Sequence, residues 1–174
     1  LMGILVNGGV RKPTQRIRGL LFAPDTPYEA TLQRHSGKSE QVLAPQVAQV
    51  ALRAIQDVVD EGTARRVKNA FVGADGHVFA VGGKTGTGDH RFDVYGAGGQ
   101  LLESRVVNRS ATFVFNIGQR FFGSITAYVH GPQAAQYDFT SALPVQLLKL
   151  LAPTLSPLLD TPFDSAGGSG QCDG

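Results

Sequence analysis

The sequence predicts an α+β fold in which an antiparallel sheet is flanked by helices. Residues 45–61 and 143–151 place apolar side chains at the spacing of an amphipathic helix. Residues 111–117 and 125–130 instead alternate apolar and polar side chains, the period of a half-buried strand. One helix precedes the strands and the other follows them, which is the element order of an α+β domain.

The composition fits a single folded domain. The chain has 174 residues, 42% apolar side chains and a formal net charge of +2, so it is long enough to bury a core and too apolar to be disordered. Its basic residues are scattered, which argues against a nucleic-acid partner. The single cysteine, Cys172, excludes an intrachain disulfide. Lys149, Pro153 and Pro157 interrupt the most apolar stretch, so we expect no membrane span.

Three helices are expected. Residues 1–6 have the pattern of the last turns of a buried helix that Asn7-Gly8-Gly9 closes. Pro45 suits the first turn of the helix at 45–61, whose apolar stripe consists of Val47, Val50, Ala51, Ala54, Ile55, Val58 and Val59. The last helix, at 143–151, is expected to be capped by Ser141 and to end at Pro153. Its predicted buried face is Pro144, Leu147, Leu148 and Leu151.

The strands are expected between residues 71 and 130. A strand at 77–87 follows the Asp75-Gly76 turn signal, and residues 96–100 mark a second reversal. The two alternating segments form a hairpin through residues 118–123. The phenylalanines of this region fit sheet packing: Phe113, Phe115, Phe121 and Phe122. Residues 1–152 form the predicted domain, and residues 153–174, rich in Pro, Gly and Ser, are expected to be a flexible tail.

One glycine-rich cluster, at residues 82–88, is the candidate for a functional site. A phosphate-binding loop would need a glycine five positions before Gly83, where Val78 stands, and a helix directly afterwards. Residues 89–99 are turn-rich and not helical in pattern, so this interpretation is excluded. The Lys-Thr-Gly motif of active-site serine acyltransferases fits better, because it belongs on a sheet-edge strand. Lys84-Thr85-Gly86-Thr87 ends a predicted strand, and two more strands follow.

Several motifs occur in one order along residues 1–152. Asn7-Gly8-Gly9-Val10 follows an apolar helix, the helix at 45–61 runs into Gly62-Thr63-Ala64, and Gly83-Lys84-Thr85-Gly86-Thr87 precedes a strand pair and a Pro-initiated helix. This set resembles the C-terminal half of a penicillin-binding protein transpeptidase domain, of the β-lactamase-like superfamily. The tracts at 89–95 and at 106–109 are most similar to bifunctional, class A enzymes that carry a glycosyltransferase domain upstream.

The resemblance implies a serine D,D-transpeptidase that cross-links peptidoglycan through an acyl-enzyme and needs no cofactor or metal. Its ligands would be D-Ala-D-Ala stem peptides and β-lactams, and an upstream anchor would hold it on the periplasmic side of the inner membrane. The resemblance assigns Lys84 to the proton network and to attraction of the substrate carboxylate. The hydroxyls of Thr85 and Thr87 would bind that carboxylate. The Thr87 backbone N–H would be an oxyanion donor, and Gly86 would keep the strand open.

Two family motifs, Ser-x-x-Lys and Ser-x-Asn, do not occur in the sequence, since Ser36-Gly37-Lys38 has the wrong spacing. Because the chain also opens within an apolar segment, we expect it to be a piece of a longer protein whose missing N-terminal half supplies the nucleophile and its base. This chain alone is then inactive. Two alternatives stay open, a β-lactam-sensing module and a non-catalytic interaction module of the same fold. The four histidines, His35, His77, His90 and His130, lack metal-ligand spacing.

Overall fold

The computed structural model describes residues 1–14, 17, 19–33 and 37–160. Within these residues it contains three α-helices, seven strands and two short 3-10 helices, and the predicted α+β class is confirmed. In chain order these are α1 (Met2–Val6), β1 (Val10–Arg11), β2 (Gly19–Phe22), β3 (Ala30–Gln33), β4 (Glu40–Gln41), α2 (Pro45–Asp60), a 3-10 helix (Arg65–Val67), β5 (Val81–Tyr95), β6 (Leu101–Ile117), β7 (Phe121–His130), a 3-10 helix (Pro132–Gln136) and α3 (Ala142–Leu159).

The central sheet is antiparallel, with the strand order β5-β6-β7. The β5–β6 register runs from Val81 opposite Ile117 to Tyr95 opposite Leu101. β7 pairs only with residues 108–117 of β6, so the far part of the β5–β6 ribbon extends beyond it. Among the described strands none pairs with the other side of β5, which is therefore an edge strand.

The strand β5 is longer than predicted and lies further along the chain. It begins at Val81, after a bridge between Val72 and Val78, and continues to Tyr95. The turn-rich reading of residues 89–99 was therefore wrong for residues 89–95, which pair with β6 despite their polar sequence. The two predicted reversals are confirmed. Gly99 and Gly118 adopt positive φ in the turns that join the three strands.

The core lies between one face of the sheet and α3. Phe113 of β6 and Val145 and Leu148 of α3 are fully buried. The core cluster consists of Val59, Ala64, Val67, Phe71, Val81, Phe113, Phe115, Ile117, Val145, Leu148, Ala152 and Leu159. Phe122, which was expected to pack in the sheet, is 54% exposed, because it points to the opposite face, where its ring lies beside Gly3.

The helix α2 begins at the predicted residue and ends one residue earlier than predicted, but only part of its apolar stripe is covered. Ala48 and Val59 are buried, whereas Val50 is 68% exposed and Val47 is also exposed. The helix packs against β5 and α1, and these elements reach only one side of the stripe. The exposed side is an apolar surface without a partner among the described residues.

The helix α3 begins within one residue of its predicted start but ends eight residues later than predicted. It continues through Pro153 and Pro157 to Leu159, although each proline removes a helical hydrogen bond. Burial of Ala152 and Leu159 offsets this loss, and Asp160 Oδ2 accepts a hydrogen bond from the Ala74 N–H at 2.8 Å. The predicted buried face was only half right, because Pro144 and Leu148 are buried whereas Leu147 and Leu151 are exposed. The part of the predicted tail at residues 161–174 lies outside the described residues.

The length of α3 changes the expectation about membrane spans. By length and composition alone, this helix is apolar enough to cross a bilayer. The core helix of a water-soluble domain passes the same test, and one face of α3 packs against the sheet through Val145 and Leu148. Its other side is exposed, with Leu150 and Leu158 among the exposed residues.

The segment before α2 forms two small ribbons that the sequence pattern did not predict. β1 pairs with β4, and β2 pairs with β3. The predicted helix closure before them is confirmed, because Gly8 and Gly9 have φ of +65° and +89°. A side chain at Gly9 would also place a Cβ atom 2.1 Å from the carbonyl oxygen of Leu43. Glycine is thus required at the junction of α1 with the ribbons.

We predict that Gly83→Ala destabilises the fold whereas Gly86→Ala does not. A Cβ atom at Gly83 would lie 2.5 Å from the Phe113 ring and 2.6 Å from the Val114 carbonyl oxygen, while one at Gly86 meets nothing within 4 Å. Overpacking of this kind costs roughly 1–3 kcal/mol. Urea unfolding of the two variants and the parent chain measures the difference. Equal midpoints for Gly83→Ala and Gly86→Ala would contradict the close packing of β5 on β6.

Candidate active site

The four residues singled out by the sequence lie in the first half of the edge strand β5. Lys84, Thr85, Gly86 and Thr87 pair with residues 111–114 of β6. Because side chains alternate along a strand, Thr85 and Thr87 share one face, and Lys84 and Gly86 lie on the other. The backbone N–H and C=O groups of alternate residues point away from β6, as in any edge strand. An extended ligand could pair with them.

The hydroxyl of Thr85 is held by a residue that follows α2. Thr63 Oγ1 lies 2.8 Å from Thr85 Oγ1, and either hydroxyl can donate the proton. If Thr63 donates, the Thr85 proton is available to a ligand. Thr63 belongs to the Gly62-Thr63-Ala64 tract but was not predicted as a site residue. Its place in the loop directly after a long helix is the only sequence signal for it.

The hydroxyl of Thr87 is held by the residue that precedes α3. The Ser141 backbone N–H donates a hydrogen bond of 2.9 Å to Thr87 Oγ1. Ser141 was expected to cap α3 with its side chain, but its hydroxyl makes no capping hydrogen bond. The backbone N–H occupies an acceptor position of the Thr87 hydroxyl, which keeps its own proton for donation. Two hydroxyl groups thus lie on one face of the strand, each with a polar partner.

Lys84 contributes a positive charge on the other face. Its Nζ donates a hydrogen bond of 2.6 Å to the Thr85 carbonyl oxygen, and the side chain is exposed. No carboxylate of the described residues forms a salt bridge with it, whereas Lys68 and Asp60 do form one. The charge of Lys84 is therefore not neutralised by a carboxylate within the described chain.

An ion-pair cluster lies just beyond Thr87 on the same face of the strand. Asp89 accepts hydrogen bonds from Arg109 Nε at 3.0 Å and from Arg109 Nη2 at 3.4 Å. Arg109 Nη1 also binds Asp138 Oδ1 at 3.1 Å and the Tyr137 carbonyl. The hydrogen bond to Asp89 raises the pKa of Arg109 further above its ordinary value, and partial burial opposes this shift. The guanidinium therefore stays charged at every physiological pH.

The polar residues after Asp89 make contacts between β5 and β6. His90 Nδ1 lies 2.8 Å from Asn108 Nδ2, and Arg91 Nε donates to Ser104 Oγ at 2.9 Å. Both are contacts between neighbouring strands. The first lies at the end of the stretch of β6 that pairs with β7, and the second lies where the ribbon extends beyond β7. Neither joins the cluster around Thr85 and Thr87.

The arrangement can bind a carboxylate and an extended backbone together. Two hydroxyl groups on one face can donate to a carboxylate, Lys84 places a positive charge on the other face of the same strand, and the free edge offers backbone hydrogen bonds. Gly86 leaves open space beside the strand. The chain itself provides no Ser-x-x-Lys pair for covalent catalysis.

Comparison with solved structures identifies the fold. Penicillin-binding protein 3 from Mycobacterium tuberculosis in complex with aztreonam aligns with 88% of this chain at 19% identity and a TM-score of 0.51. The complex of that protein with ampicillin aligns with 92% of the chain at 18% identity and a TM-score of 0.50. A peptidoglycan synthetase from Bifidobacterium adolescentis aligns with 97% of the chain, and with 27% of its own length, at 21% identity and a TM-score of 0.48.

The chain spans about a third of the length of the mycobacterial structures, 34% in each complex. No protein-family model and no curated protein matches the sequence. At this level of identity the similarity is one of fold. The chain has the fold of part of a penicillin-binding protein, as the order of its motifs predicted.

Proposed function

We propose that this chain is the substrate-binding part of a serine D,D-transpeptidase that cross-links peptidoglycan and binds penicillin. The observation that carries the proposal is the position of Lys84-Thr85-Gly86-Thr87 on the exposed edge strand of a sheet with the fold of a penicillin-binding protein. The mycobacterial structures with that fold hold aztreonam and ampicillin. These two compounds are β-lactams, so we extend β-lactam binding to this chain.

The stem peptide binds along the edge of β5. Its backbone adds to the sheet as an extended strand, which is a common mode of peptide recognition. The carboxylate of its terminal D-Ala accepts hydrogen bonds from the hydroxyls of Thr85 and Thr87. The Lys84 ammonium strengthens this attraction, because a charge-assisted hydrogen bond is stronger than a neutral one. A side chain at position 86 would occupy the space that the ligand needs.

The covalent steps need a serine and its base from the upstream half of the same protein. The serine oxygen attacks the D-Ala-D-Ala amide carbonyl, and the C–N bond breaks as the leaving amine takes up a proton and departs as D-Ala. An amine on a neighbouring strand then attacks the ester, forms the new amide and returns the proton to the serine. The Thr87 backbone N–H is one of the oxyanion donors, and Lys84 completes the proton network.

The upstream half is also the packing partner of this chain in the proposal. The exposed side of α2, with Val47 and Val50, supports it, because an apolar helix face is normally covered by another element. The protein would act in the bacterial cell envelope, on the periplasmic side of the inner membrane. An upstream anchor would hold it there, with a glycosyltransferase domain in the class A subtype.

We expect the 174-residue chain by itself to form no covalent adduct with penicillin, because it lacks Ser-x-x-Lys. Incubation with a fluorescent penicillin followed by denaturing electrophoresis tests this, and the full-length protein serves as the positive control. Labelling of the full-length protein alone is the expected result. A stoichiometric adduct on any serine of this chain would overturn the assignment of the nucleophile to the upstream half. A full-length protein that is labelled but never releases the label or forms cross-links would be a sensor.

In the full-length protein, Thr87→Val should lower the second-order rate of acylation by penicillin about ten- to a hundredfold. The substitution keeps the size of the side chain and the backbone N–H but removes one hydrogen bond to a charged carboxylate, worth roughly 1.5–3 kcal/mol. Stopped-flow labelling measures the rate. The melting temperature should stay near that of the parent, since residue 87 is exposed. An unchanged rate in a folded variant would remove Thr87 from the site.

Lys84→Ala should reduce the same rate at least as much, because it removes the local positive charge. Lys149→Ala is the matched control, since Lys149 is exposed on α3 and has no proposed role. The control should acylate at the parent rate. Equal rates for the two lysine variants would show that the charge of Lys84 does not contribute to ligand binding.

A further inference from the structure

We propose that Arg109 is a positioning residue for the carboxylate site, because it fixes the segment before α3 so that the Ser141 N–H meets the Thr87 hydroxyl. Its effect on catalysis rests on the proposed function, whereas its effect on Ser141 does not. Arg109 touches no residue of the Lys84–Thr87 segment in a hydrogen bond or ion pair that the structure shows. It acts through Asp89 on one side and through Tyr137 and Asp138 on the other.

On the strand side, Arg109 binds Asp89 through two hydrogen bonds. Arg109 lies directly opposite Asp89 in the β5–β6 register, and two guanidinium nitrogens bind the two carboxylate oxygens at 3.0 and 3.4 Å. The paired arrangement fixes the plane of the guanidinium group as well as its position. The Arg109 side chain is 18% exposed, so solvent screens this pair less than a pair at the open surface. The Arg109 guanidinium is therefore held beside Asp89, which lies two residues after Thr87 on β5.

The same guanidinium also holds the segment before α3, at residues 137–141. Arg109 Nη1 binds the Tyr137 carbonyl and Asp138 Oδ1, and the Asp138 side chain is 99% exposed. From Asp138 the chain runs through two residues to Ser141 without regular secondary structure. At Ser141 the backbone returns to β5 with the hydrogen bond to Thr87 Oγ1. The guanidinium thus connects the strand to the start of this connection, and Ser141 connects the strand to its end.

The consequence concerns the proton of the Thr87 hydroxyl. While the Ser141 N–H donates to Thr87 Oγ1, the hydroxyl keeps its proton for a ligand carboxylate. When residues 137–141 move away, the hydroxyl loses the partner that orients it. Lysine cannot replace Arg109, because one ammonium group cannot bind Asp89 in a paired geometry and also reach the Tyr137 carbonyl and Asp138.

The test uses Arg109→Met and Arg109→Lys in the full-length protein, each also combined with Thr87→Val. Arg105→Met is the matched control, since Arg105 lies on the same strand, is 65% exposed and contacts only the ribbon residues Phe92 and Glu103 in the interactions seen. We expect both Arg109 variants to lower the acylation rate about tenfold, by loss of one oriented charge-assisted hydrogen bond. In the Thr87→Val background their further effect should be less than about twofold, because coupled residues are not additive.

Amide hydrogen exchange of Ser141 gives a readout that does not depend on activity. Exchange should become faster in Arg109→Met and Arg109→Lys and stay at the parent rate in Arg105→Met. If Arg109→Met fails to fold, Asp138→Asn answers the question, because it weakens only the segment side of the contact at an exposed position. It should move the Ser141 exchange rate and the acylation rate in the same directions by smaller factors.

The outcomes separate the two proposals. A parent protein that penicillin does not acylate contradicts the proposed function, and the Ser141 exchange rates still decide the role of Arg109. Unchanged Ser141 exchange in folded Arg109 or Asp138 variants overturns the positioning role. An Arg109 effect of equal size with and without Thr87→Val also overturns it, since Arg109 would then act by a route other than the Thr87 hydroxyl.

Discussion

The antiparallel pairing of β5 with β6 is the constraint on which the rest of the structure depends. It turns Phe113 and Phe115 toward α3 and so defines the core. It also leaves the other edge of β5 open and turns Thr85 and Thr87 toward Thr63 and Ser141. A shift of the register by one residue would turn each of these side chains to the opposite face of the sheet. The register of β5 on β6 therefore determines both the core and the arrangement of the candidate site.

The two paired strands differ in the size of their side chains. β6 carries the large side chains of the core, whereas the first half of β5 is rich in glycine, a residue that weakens an isolated strand. The Phe113 ring lies where a Cβ atom of Gly83 would be, and nothing occupies the corresponding space at Gly86. Glycine thus allows close packing at one end of the segment and leaves open space at the other, and the stability of β5 comes from its neighbour.

Local patterns predicted the elements that local forces decide. The helix α2, the closure of α1 and the β6–β7 hairpin follow from periodicity and turn residues, and all three predictions are confirmed. The length of α3 was wrong because burial of Leu159, a tertiary contact, outweighs the prolines. The motif at 84–87 was readable from the sequence, but its partners were not. Thr63 and Ser141 are 22 and 54 residues away from the threonines they bind, and only the fold brings them together.

Two cations near the edge of β5 differ in what surrounds them. Arg109 has two carboxylates and a carbonyl as partners, so its charge is already compensated and a further anion would gain little from it. Lys84 has a carbonyl as its partner and no salt bridge among the described residues. An anion beside Lys84 therefore meets a charge that no carboxylate of the described residues compensates. The distribution of acidic residues therefore leaves Lys84 as the less compensated of the two cations, and this difference supports the separate roles that we propose for Lys84 and Arg109.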